Sequence, residues 1–102
     1  MKLRIIESLA SNEFNDFYDA VIEFKESEDR HNDIQIKRNG NMIIASGFDF
    51  MARNLFDIAK EYLVGWNKEV NDPSRFRKQT SYGGTITHTY TKDGYTVVIK
   101  MI

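Results

Sequence analysis

The apolar positions change period along the chain, and each change marks an element. Residues 2–7 alternate, with Leu3 and Ile5 on one side and Lys2, Arg4 and Ile6 on the other, which predicts a short strand. From Phe14 the spacing lengthens. Phe14, Phe17, Tyr18, Val21, Ile22 and Phe24 recur every three or four residues and predict a helix over 12–26 with one buried face, N-capped by Ser11 and carrying Glu13 in its first turn. The polar run 26–33 reads as a loop. Residues 34–45 then predict a hairpin turning at Asn39-Gly40, which sets Ile36 against Ile43 and Ile34 against Ala45. That leaves Gln35, Lys37, Met42 and Ile44 on a half-polar reverse side. Ser46 with Asp49 resembles a capping arrangement for a second helix, whose apolar stripe runs through Phe48, Met51, Ala52, Leu55, Ala59, Tyr62 and Trp66, widened by Phe56 and Leu63. Asp72-Pro73 has the chemistry to restart a short helix through about residue 78. A last hairpin around Asp93-Gly94 pairs Tyr90 with Val97, His88 with Ile99 and Ile86 with Met101, and threonines at 85, 87, 89 and 91 line its other face.

These elements predict one α+β domain over residues 1–102: an antiparallel sheet of about five strands with two main helices on one face, in the order β-α-β-β-α-β-β. The first six elements are compatible with a ferredoxin-like arrangement, although strand order is not readable from the pattern. At 102 residues, with 41% hydrophobic and 13% aromatic positions, the chain suffices for a single two-layer core. The absence of Cys excludes a disulfide scaffold and a thiolate metal site. No apolar run approaches the roughly 18–20 residues of a membrane span, and the N-terminus lacks the apolar region of a secretory signal. Cytoplasmic placement is the expectation.

Local motifs offer little chemistry. His88 lies between Ile86 and Tyr90 on the apolar hairpin face and reads as a hydrogen-bonded packing residue before a catalytic one. His31 sits among Glu28, Asp29 and Asp33 without the ordered spacing of a metal site. Gly83-Gly84 lacks the rest of a phosphate loop and reads as a turn. Arg75, Arg77 and Lys78, with Phe76 and Tyr82, make a basic cluster with interleaved aromatics, read first as a solvated loop and second as a contact for phosphate or an acidic protein surface. No catalytic residue, metal set or cofactor is expected.

Charge placement says more. The formal net charge of −1 argues against indiscriminate nucleic-acid binding. It conceals a separation: residues 1–33 hold nine acidic and four basic residues, a net of −5, and the remainder holds six acidic and ten basic, a net of +4. Asp16, Asp19, Glu23 and Glu26 recur at three- or four-residue spacing and form an acidic stripe on the first helix. Such a stripe is either a solvated face or a surface for a basic groove.

Three segments carry a resemblance to a known family: Asn39-Gly40-Asn41, residues 44–46, and Gly65-Trp66-Asn67-x-Glu69-x-x-Asp72-x-x-x-Phe76. In this order, over about residues 12–80, the chain resembles the small phage-encoded type II-A anti-CRISPR inhibitors, which block an RNA-guided nuclease by imitating the DNA that flanks its target. The resemblance implies partner contacts at Asn39, Asn41 and Asp72. It also shows departures: Asn39, Met42 and Pro73 stand where that family carries acidic residues, and the C-terminal hairpin is extra.

The expectation is therefore a non-catalytic inhibitor of a host nucleic-acid enzyme, from a phage or other mobile element. Asn39, Asn41 and Asp72 would lie at the contact, with Asp16, Asp19, Glu23 and Glu26 as a second surface. Two alternatives stand beside it. One is an oligomerising module that uses the face of Met42 and Ile44, or the strand ending at Ile102 as an edge. The other is a small nuclease or RNA-binding toxin that uses Arg75, Arg77, Lys78, Tyr82 and His88, and it requires a concave basic site.

Overall fold

A computed structural model describes residues 9–27, 33–71 and 86–102. Helix α1 (Leu9–Glu26) is followed by strands β1 (Gln35–Asn39) and β2 (Met42–Gly47), helix α2 (Asp49–Tyr62), and strands β3 (Asn67–Asn71), β4 (Ile86–Lys92) and β5 (Tyr95–Met101). The strands form one five-stranded sheet in the order β1-β2-β5-β4-β3. The fold is α+β.

The expected wholly antiparallel sheet is corrected to a mixed one, because β2 and β5 run parallel, from Met42 opposite Thr96 to Gly47 opposite Met101. Apolar content decides this. Ile43, Ala45, Val97 and Ile99 are fully buried on the helix-covered face, so the two most apolar strands gain most by sharing the centre. β5 thereby occupies the place beside β2 that a ferredoxin-like arrangement keeps for the first strand, and that order is not formed. The proposed use of the C-terminal strand as a free edge also fails, since β5 lies between β2 and β4.

The expected element order changes too, with β3 as the unforeseen strand. It reads Asn-Lys-Glu-Val-Asn and is exposed throughout as an edge, so no alternation announced it. The strand expected over 2–7, the short helix expected after Asp72, and the loop over 79–84 lie outside the described residues.

Both hairpins form, by different turns. Asp93 (φ +48°) and Gly94 (φ +87°) are both left-handed, the condition for a type I′ turn, and the pairs Tyr90–Val97, His88–Ile99 and Ile86–Met101 are those expected. In the first hairpin, Asn39 instead pairs with Met42. The turn centre is Gly40-Asn41, with Gly40 alone left-handed (φ +61°), as a type II′ turn requires of its first central residue. Ile36 therefore faces Ala45, and Arg38 faces Ile43. A shift of two residues keeps every side chain on its expected face.

Both helices pack on one sheet face. From α1, Phe14, Phe17 and Val21 are buried, with Tyr18 and Phe24 packed beside them; from α2, Ala52, Leu55 and Ala59 are buried. Complete burial of each such large side chain stabilises the fold by roughly 1.5–3 kcal/mol. Helix boundaries differ from expectation. Because α1 begins at Leu9, Ser11 lies inside it and is not its cap. Ser46 belongs to β2, and the N-cap of α2 is Phe48, which is more than half exposed and makes no side-chain cap bond. Trp66 is not helical either: α2 ends at Tyr62, the chain turns at Gly65 (φ +85°), and Trp66 enters the core just before β3.

Candidate functional site

α1 runs antiparallel to β1, and contacts near both ends of the pair join them. Near its start, the Arg38 guanidinium of β1 lies 5.0 Å from the ring centroids of both Phe14 and Tyr18 and donates to Asn15 Oδ1 at 2.6 Å. Cation–π contacts and the hydrogen bond together fix this cation against the helix. Near its end, Lys25 Nζ donates to the Ile34 carbonyl at 2.6 Å. The turn end is held by Glu13, whose Oε1 accepts from Trp66 Nε1–H at 2.8 Å and lies 3.7 Å from Lys92 Nζ. Glu13 is thus a tie between layers, where a helix-dipole partner was expected.

This packing turns the acidic stripe outward. Asp16, Asp19, Glu23 and Glu26 are all exposed, and Asn12 and Asn15 continue the exposed row. Asn39 and Asn41 are exposed at the hairpin tip, next in the chain to the Arg38 that holds Asn15. The Asn41 carbonyl accepts from Thr96 N–H at 2.9 Å, which anchors the tip to β5. Six of the seven expected contact residues are therefore exposed, but Asn39 pairs with Met42 on the sheet face away from the helices, so it does not share the α1 face. Asp72, the seventh, lies outside the described residues, as do His31 and the cluster Arg75, Arg77 and Lys78 with Phe76 and Tyr82.

Pattern reading missed a second feature at the opposite edge. Arg53, Phe56, Asp57 and Lys60 of α2, Lys68 of β3 and His88 of β4 line a recess of about 420 Å³. His88 is only half-buried and stacks on Phe56, with ring centroids 3.8 Å apart and 15° between the planes. The packing role read for it thus takes the form of an aromatic stack at the wall of a cavity. Spacing was the available signal, since Arg53, Asp57 and Lys60 fall four and three residues apart on one helix face. Lys68 was not findable while β3 went unread. Among the described residues, no group of three or more His, Asp or Glu is placed to hold a metal ion, and no helix is long and apolar enough to cross a membrane.

The side of the sheet away from the helices carries Met42, Ile44 and Val98 among Thr87, Thr89, Thr91 and Thr96. Met42 is 41% exposed there, whereas Ile44 and Val98 are partly buried. Comparison of the chain with family models, with curated proteins and with solved structures gives no significant match.

Proposed function

We propose that the protein is a non-catalytic binding module that engages the basic, nucleic-acid-handling groove of a host enzyme. One observation carries the reading: the four acidic side chains of the α1 stripe are all exposed, on the side of the helix opposite the one that packs into the core. Like charges at this spacing repel by a few tenths of a kcal/mol per pair. A groove lined by Arg and Lys converts that cost into attraction and speeds encounter. In its narrower form the target is an RNA-guided nuclease, and the resemblance of the hairpin tip and the Gly65-Trp66-Asn67 segment to anti-CRISPR inhibitors of phage origin supports that form.

The test is capture from a nuclease-treated bacterial lysate, comparing the wild type with an Asp16→Lys/Asp19→Lys/Glu23→Lys variant. The wild type is expected to retain a nucleic-acid enzyme that the variant releases. Equal capture by both, or capture that vanishes with nuclease treatment, overturns the reading. The narrower form is checked with a purified type II-A guide–nuclease complex, where added protein should block target-DNA binding in a gel-shift assay.

A further inference from the structure

The geometry points to a phosphate-binding site in the recess between α2 and the β3–β4 edge, sized for a small phosphorylated ligand such as a nucleoside di- or triphosphate. Its lining holds three permanent cations, Arg53, Lys60 and Lys68, against one carboxylate, Asp57, a net of +2 before His88 is counted. The cations come from two elements, α2 and β3, that border one open recess. Lys68 Nζ lies 5.7 Å from the Tyr90 ring centroid, which keeps its stem over the sheet face. The wall behind the cations is the stacked Phe56–His88 pair.

The lining carries more positive than negative charge, and ammonium and guanidinium groups match phosphate oxygens by charge-assisted hydrogen bonds. The volume of about 420 Å³ falls within the roughly 300–1,000 Å³ of small-ligand pockets. The size of the recess argues for a small ligand over a long strand, and the net charge of −1 of the whole chain gives little general attraction for an extended polyanion. This site is independent of the acidic face and stands or falls apart from it.

The experiment is a heteronuclear NMR titration of the full chain with inorganic triphosphate, with ATP, and with a short single-stranded oligothymidylate. Triphosphate and ATP are expected to shift the resonances of Lys60, Lys68 and His88. Lys60→Glu and Lys68→Glu are each expected to weaken binding about tenfold or more, the scale of one lost charge-assisted contact. Lys37→Glu, on the far side of the sheet, should leave it unchanged. Circular dichroism establishes that each variant folds, and Lys60→Glu serves as the test if Lys68→Glu disturbs Tyr90. Saturation by ATP with no displacement by the oligonucleotide assigns a free nucleotide as the source of the phosphate; displacement by the oligonucleotide assigns a strand. Absence of binding by all three probes at millimolar concentration overturns the site. So does binding that survives both glutamate substitutions, or that Lys37→Glu weakens equally.

Discussion

The contact between Glu13 and Trp66 gives a sharp test of how the two layers are held, because one partner is the only Trp in the chain. The indole is 6% exposed and donates to a carboxylate at 2.8 Å. A hydrogen bond to a charged group contributes about 1.5–3 kcal/mol. The Glu13 side chain keeps 25% of its surface in solvent, which lowers the expected figure to about 1–2 kcal/mol. The neighbouring Lys92 ion pair, at 3.7 Å and partly exposed, adds less than about 1 kcal/mol. Glu13→Ala should therefore destabilise by about 2 kcal/mol, lowering the melting temperature by roughly 8–16 °C in a domain of this size, whereas Glu13→Gln retains an acceptor and should cost about half as much. Urea titrations followed by circular dichroism, run on Glu13→Ala, Trp66→Phe and the double variant, isolate the pair as a coupling energy of about 1–2 kcal/mol. Trp66 emission follows the wild type and the Glu13 variants independently. Additive single effects, with coupling below about 0.3 kcal/mol, would refute the assignment of Glu13 as the tie.

Tyr90 carries a buried hydroxyl with no hydrogen-bond partner among the described residues, so Tyr90→Phe should stabilise the fold by about 1 kcal/mol in urea titrations. Burial also holds this phenol above its ordinary value of 10.0. The unfolded chain therefore releases its proton first as pH rises through about 10, and the wild type loses stability there. The advantage of Tyr90→Phe should widen above that pH, and a constant difference between about pH 8 and 11 would contradict the burial argument. Gly47→Ala would place a Cβ 3.0 Å from Met51 Cβ and 3.3 Å from the Ala52 backbone nitrogen, which should cost about 1–3 kcal/mol by forcing α2 away from β2; an unchanged urea midpoint would show that the contact yields. Phe17→Ala removes a fully buried ring and should cost about 3–5 kcal/mol in the same assay.

The elements legible in advance were those whose burial leaves a period. The α1 stripe and the C-terminal hairpin register follow from side chains that must face one core, and a type I′ turn at Asp93-Gly94 admits one pairing. The first hairpin slipped because a single glycine serves two turn types: Asn39-Gly40 satisfies type I′ and Gly40-Asn41 satisfies type II′, and both leave the same residues inward. Strand β3 was not legible, since an exposed edge needs no apolar alternation. Ser11 and Ser46 misled for a related reason: a capping side chain is compatible with a helix start without requiring one. The acidic stripe was readable because helical spacing alone sets it. The basic recess was not, because it exists only where α2 meets β3 and β4.

The parallel pairing of β2 with β5 has a consequence for how the chain reaches this fold. Each hairpin is local and can close in about 1–10 µs. The two central strands, however, are separated by about fifty residues of chain, as between Met42 and Thr96, and loop-closure entropy must be met before their contacts contribute. The strand that supplies the middle of the sheet is thus synthesised after every other described element. Until it arrives, β2 presents an unpaired, apolar inner edge to the cell. A nascent chain stalled before Tyr95 is expected to be prone to aggregation, and cotranslational pulse proteolysis should find protection of β1 and β2 appearing only after β5 has left the ribosome.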